Sequence, residues 1–173
     1  MRTNTYRRFC QTAFLIAAAG LVSAASGAEP KQLLVVSVTK GFRHDVIPTV
    51  NELMGKLARD SGKFTVDYAG DDQEFAAKMT PAALRKYDAV VFNNTSGDLP
   101  VPDLDGFLAW VKSGKGFVGF HAATDSLKNI PAYVEMIGAA FRVHHEQVEV
   151  EALQQDPKHP ATRPRGASFK VLD

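Results

Sequence analysis

Cysteine is all but missing from this sequence: Cys10 is the only one in 173 residues. A single thiol excludes a fold stapled by internal disulfides. Cys10 also precedes the N-terminal apolar run, where it is badly placed for lipoprotein modification. No residue after it can serve as a cysteine nucleophile. An excess of either charge is missing too, with 20 Lys and Arg against 19 Asp and Glu. Neither nucleic acid nor an anionic membrane surface is therefore an expected partner. The N-terminal apolar run, Ala13 to Val22, falls well below the roughly 18 residues of a spanning helix. The chain has no internal repeat and no linker between domains.

That apolar run belongs to a leader. Arg2, Arg7 and Arg8 precede it, and Ser26-Gly27-Ala28 follows it with small residues. Residues 1–28 thus have the pattern of a secretory signal peptide, cleaved before Glu29. The expectation is a periplasmic or secreted protein with no membrane contact beyond that peptide. Residues 29–173 carry 17 basic and 19 acidic side chains and no cysteine. They form one domain, long enough to bury a core.

Strand and helix signals alternate from Glu29 onward, which predicts parallel β/α units. Leu33 to Val38 is a near-continuous apolar run, as expected of a strand covered on both faces. Ile47, Val50, Leu53, Met54 and Leu57 recur at helical spacing, and Ser61-Gly62 ends that helix. Phe64–Tyr68, Ala89–Phe92 and Phe117–Phe120 read as further strands, the second fully apolar and the third buried. Thr80-Pro81 starts a helix. Asp103 caps another, with Leu104, Phe107, Leu108 and Val111 on one stripe and Gly114 at its left-handed end. Residues 131–138 read as a short helix and Gln147–Leu153 as a strand at the sheet edge. The tail from Gln154 reads as loop.

Ligands of open α/β sheets bind outside the carboxyl ends of the strands. Three strand ends here are rich in polar groups: Thr39 to Asp45, Asn93 to Asp98, and His121 to Asp125. They should open onto one crevice. Asp45 reads either as the N-cap of the first helix or as a catalytic carboxylate. His44 can position a ligand, and Arg43 can bind an anionic or hydroxyl-rich one; both also suit a solvated surface. Asn94, Thr95, Asp98, Thr124 and Asp125 are the remaining candidates for binding substrate. His121 is the sharpest candidate, because it directly follows a strand at a tight turn among small residues. An imidazole there is a general acid/base, a metal ligand, or a hydrogen-bonded structural group. His144 is the residue that can join His44 and His121 around a divalent ion such as zinc. His159, ahead of Pro160, reads as structural.

Four blocks resemble one family. Gly41-Phe42-Arg43-His44-Asp45 with Ile47-Pro48 is similar to the first signature of ThuA-like (trehalose utilisation) proteins. Tyr87 to Phe92 with Asn94 to Asp98 resembles the second, Gly116 to Asp125 the third, and Asp156 to Thr162 the fourth. The resemblance runs from about residue 32 to 173. It implies a flavodoxin-like, class I glutamine amidotransferase-like three-layer sandwich with a mostly parallel sheet. Amidotransferases of that class carry a cysteine in the turn that His121 occupies here, so the resemblance argues against glutaminase activity. It also implies further strands and a closing helix past Asp173, as if the domain were truncated, and a longer segment around His144.

The function implied is in carbohydrate metabolism, on trehalose or keto-disaccharides. The first reading is an enzyme, whether hydrolase, lyase or isomerase, with His121, His44 and Asp45 as its catalytic residues. The alternatives are a non-catalytic sugar-binding module and a metal-dependent hydrolase. The expected partner is a small-molecule carbohydrate, with a homo-oligomer left open.

Overall fold

A computed structural model describes residues 28–163 and 166–172. The signal peptide assigned to residues 1–28 lies almost wholly outside the described residues. Six strands and five helices follow in chain order. They are β1 (Lys31–Val36), α1 (Ile47–Ser61), β2 (Phe64–Ala69), α2 (Asp72–Lys78), α3 (Pro81–Leu84) and β3 (Ala89–Asn93). Then come α4 (Leu104–Lys112), β4 (Gly116–Phe120), a 3-10 turn (His121–Asp125), α5 (Pro131–Ile137), β5 (Glu149–Leu153) and β6 (Ser168–Leu172).

The first four strands form one parallel sheet in the order β2-β1-β3-β4. The chain leaves β1 toward β2 on one side and crosses to β3 on the other. The topological switch point therefore lies between the carboxyl ends of β1 and β3. Alternate residues of the central strands face opposite layers. Leu34, Val36, Val90 and Phe92 pack with Phe107, Leu84 and Tyr133 on the side of α3, α4 and α5. Val35 and Val91 pack with Met54 of α1 on the other side. Burial on both faces is why β1 and β3 read as unbroken apolar runs.

The helix ends follow ordinary capping chemistry. Thr80 and Asp103 accept from Ala83 and Gly106 N–H and so cap α3 and α4. Gly62 closes α1 in the left-handed conformation, its N–H bonded to Ala58 O at 3.0 Å. Gly114 follows α4 at φ 101° with its N–H on Val111 O.

Several sequence expectations need correction. Asp45 does not cap α1: the N-cap position is Val46, already helical at φ −73° and ψ −13°, and no side chain caps the helix. The Ile47 N–H instead takes the His44 carbonyl. β4 is not a buried strand, since it ends the sheet and Val118 is 44% exposed. Val118 pairs with Val91; among the described residues α1 contacts β2 and β3 chiefly, and of β4 only Phe120 packs against the cluster of Val35, Met54 and Val91. Leu53 and Leu57 of α1 are likewise exposed. β5 is not an edge strand of the main sheet. It pairs antiparallel with β6 in a separate two-stranded ribbon, and so part of the tail read as loop is a strand. Helix α2, capped by Asp71 and buried through Phe75, was not anticipated.

The loop after β3 is clasped between the loops on either side. Lys40 N–H bonds to Ser96 O at 2.7 Å, and Gly97 N–H to Asp125 O at 3.1 Å. Gly97 has φ 77°, and a Cβ on it would meet Gly41 N and Lys40 C at 2.7 Å. Gly97→Ala is expected to cost about 3 kcal/mol, from the left-handed backbone plus the clash. Gly62→Ala, at φ 60° with nothing within 4 Å, should cost only about 1 kcal/mol. Urea denaturation compares them, and equal costs would show that the clasp is not tight.

Candidate functional site

A cluster of amides lies under the switch point. Asn51 Oδ1 on α1 accepts from Ser37 Oγ at 3.1 Å and from Asn93 Nδ2 at 2.9 Å. Asn93 Nδ2 also donates to Ile47 O, the first residue of α1, at 3.1 Å. Asn94 Nδ2 donates to Asn93 Oδ1 at 2.8 Å. The ends of β1 and β3 and the start of α1 are thereby tied together. The next joint is equally closed: Thr95 Oγ1 and Ser126 Oγ are 2.8 Å apart and both residues are fully buried. Ser96 Oγ donates to Phe42 O at 2.6 Å.

Above this platform two histidines meet. The His44 and His121 rings are 4.6 Å apart, centroid to centroid, and edge-to-face at 80°. They arrive from different directions. His44 is delivered by the start of α1 and is half-buried; His121 is delivered by the end of β4 and is exposed. His121 has φ 44°, a left-handed turn uncommon for a residue with a side chain. The turn reverses the chain directly after the strand and lifts the imidazole out of the sheet. Among the described residues neither ring makes a hydrogen bond. Burial lowers His44 below the ordinary histidine value, and the nearby His121 adds to this against the opposing pull of Asp45 and Asp125. His44 is thus biased toward the neutral imidazole.

The other candidate residues divide into groups. Asp45 and Asp125 lie close enough to act on the charge of His44. Asp125 is also ion-paired with Lys128 at 2.8 Å. Asn94 is buried and belongs to the amide cluster, whereas Thr95 is spent on the joint with Ser126. Arg43 turns downward, with Nη1 on the Ser37 carbonyl at 2.9 Å. Asp98 is exposed, and the half-buried Thr124 takes part through its carbonyl, which accepts from Phe141 N–H. His144 does not join the pair: its ring contact is Phe141 at 6.0 Å, and its Nδ1 lies 2.8 Å from His145 O. Among the described residues no group of three or more His, Cys, Asp or Glu side chains is arranged to hold a metal ion.

Sequence reasoning missed two participants. Phe42 is 69% exposed and packs edge-on to His44 at 4.8 Å. It is an apolar face at the rim, and its signal was an aromatic residue inside an otherwise polar loop. Asn51 was hidden in a helical stripe. A cavity lined by Val38, Thr39, Lys40, Arg43 and residues 70–73 lies at the ends of β1 and β2. The histidines themselves stand on an open shelf. The most strongly shifted carboxylate lies elsewhere. Burial pushes Asp67 up, but hydrogen bonds from Tyr87, Lys78 and Lys86 outweigh it and hold it at about 2. That network braces β2 against the neighbouring helices.

The strand order defines a flavodoxin-like α/β domain, with the candidate site at the carboxyl edge of its sheet. The sequence matches the ThuA family, described as trehalose utilisation, over residues 32–173, and the chain belongs to that family. Two solved structures share the fold. A ThuA-like protein from Bacteroides uniformis ATCC 8492 is 24% identical, with a TM-score of 0.67 over 87% of this chain. One from Parabacteroides merdae ATCC 43184 is 17% identical, with a TM-score of 0.62 over 82% of this chain. The chain spans 62% and 60% of the length of those two proteins. No curated protein matches it.

The electrostatics of the pair can be tested by NMR titration of the imidazole protons. His121→Ala should move the His44 midpoint upward, because a like charge and some burial are removed. Asp45→Asn should move it downward. A His44 midpoint that ignores both changes would mean that the rings do not meet in solution. The sign for stability follows from the same shift. A histidine held below its unfolded value of 6.5 contributes fully above that pH and less as pH falls beneath it.

Proposed function

We propose that this protein is an exported enzyme of carbohydrate metabolism that uses the His44–His121 pair for proton transfer. The observation that carries this reading is the contact of two unpartnered imidazoles at the strand ends of a ThuA-family domain. One imidazole is half-buried and biased to the neutral form, so it can accept a proton near neutral pH. The other is exposed and reaches the ligand and solvent, which suits an acid/base that must exchange protons each turnover. Asp45 and Asp125 stabilise positive charge as it develops on His44. Phe42 offers its ring to the C–H face of a sugar. The substrate class is a disaccharide such as trehalose or its keto form, in line with the family's description. The leader pattern of residues 1–28 supports a periplasmic or secreted location. Among the described residues no helix is long and apolar enough to cross a membrane.

The test is a product assay with trehalose and 3-keto-trehalose, read by mass spectrometry. His121→Ala should lower turnover by about 10²-fold or more. The acid limb of the pH–rate profile should fall below 6.5, because His44 loses its proton more readily than an ordinary histidine. Unchanged turnover in His121→Ala removes the proposal, and saturable binding without product moves the reading to a sugar-binding module. The same unpartnered imidazoles favour one alternative, a hydrolase dependent on a divalent ion such as zinc. It expects stoichiometric metal and loss of turnover on chelation, and a fully active metal-free preparation ends it.

A further inference from the structure

We propose that Phe141 is a specificity-determining residue of this site, taking the second ring of a two-ring sugar whose first ring lies over Phe42 and the histidine pair. This role rests on the carbohydrate reading above and adds a second subsite to it. Between residues 31 and 146 every aromatic side chain but two belongs to one of the two core clusters. The exceptions are Phe42 and Phe141, which are 69% and 38% exposed. A single apolar residue at a surface is ordinary. These two rings, however, are both held at the site. Phe42 packs edge-on to His44 at 4.8 Å. Phe141 is fixed to the 3-10 turn that begins with His121.

Two contacts fix it there. Phe141 N–H donates to Thr124 O at 2.9 Å. Lys128 Nζ lies 6.0 Å from the centre of the Phe141 ring and 2.8 Å from Asp125 Oδ1. The turn itself is braced. The buried Tyr133 hydroxyl donates to Ala123 O at 2.9 Å, and Gly97 N–H donates to Asp125 O at 3.1 Å. The turn runs His121–Asp125 and spans only about 8 Å, at a 3-10 rise of roughly 2 Å per residue. Phe141 therefore stands one short, rigid step from His121. Lys128 is a positioning residue, since it links the Phe141 ring to Asp125, a carboxylate close enough to act on the charge of His44. The segment around Phe141 is irregular and exposed, so the open part of the ring is available to a ligand without rearrangement. One exposed ring thus accompanies each histidine, Phe42 with His44 and Phe141 with the His121 turn. A ligand of two rings, each with an apolar face and polar edges, suits that arrangement.

Calorimetric titration of the protein with trehalose and with glucose tests the second subsite. The wild type should bind trehalose more tightly than glucose. Phe141→Ala should weaken trehalose binding about tenfold and leave glucose binding unchanged, because only the apolar contact to the second ring is lost. Phe141→Trp, which keeps an aromatic face, should retain the preference for trehalose. Lys128→Met should weaken trehalose binding as well, and Lys128→Arg should restore it. Phe141 lies outside both core clusters and its bond to Thr124 needs no side chain, so its variants keep the fold. Unchanged trehalose affinity in Phe141→Ala, or an equal loss for both sugars, overturns the subsite and leaves the carbohydrate reading standing. Equal affinity of the wild type for the two sugars does the same. Binding of neither sugar by the wild type overturns that reading and the subsite with it.

Discussion

The amide cluster of Asn51, Asn93 and Asn94 is the constraint on which the site depends. Polar side chains placed at the end of a buried parallel sheet must find partners or destabilise the fold. Here the partners come from α1, so the first helix is docked by its own Asn51 and by the Ile47 carbonyl rather than by packing alone. Two residues of α1 are buried, Ile47 and Met54, and of these Met54 packs in the cluster with Val35 and Val91. Hydrogen bonds of defined direction therefore set where α1 begins. Because Ile47 N–H is bonded to the His44 carbonyl, they also set where His44 stands.

The second histidine is placed by an independent device. β4 ends at Phe120, and the left-handed His121 turns the chain at once into a 3-10 segment. That segment is tied to the loop after β3 through Gly97 N–H and Leu127 N–H. Two structural routes thus converge on one ring-to-ring contact. The floor is almost completely satisfied, with Asn94 Oδ1 as its one buried oxygen without a partner, while the two imidazoles above it make no hydrogen bond among the described residues. A satisfied scaffold carrying an unsatisfied shelf is the arrangement expected of a preformed polar binding site.

Much of this was legible in the residues, and the limits have physical causes. β1 and β3 were recognisable because burial on both faces makes an unbroken apolar run. The three polar strand ends were recognisable because parallel β/α units direct them to one edge. The burial of β4 was misjudged because an apolar run reports what a strand can bury, not which helix covers it. Helix α2 was missed because it presents only Phe75 to the core in a polar stretch, with Met79 buried at its end. β6 was missed because its pairing with β5 is non-local and its surroundings are Pro, Lys and Arg. His44 and His121 were named, but their contact depends on the sheet order. The unpaired Asn94 oxygen depends on the full network and leaves no trace in composition or spacing.

The central claim is that ligand binds on the shelf formed by His44 and His121. The chain has five histidines, so its imidazole proton spectrum samples the shelf and two distant places at once. Trehalose should be titrated into the protein while those five signals are followed. The account predicts saturable shifts of His44 and His121 with one binding constant, and no shift of His145 or His159. His159 lies against a separate cavity, lined by Leu153 and Phe169 among others, near the β5–β6 ribbon. A saturable shift of His159 with His44 and His121 unmoved would place the ligand there and contradict the account.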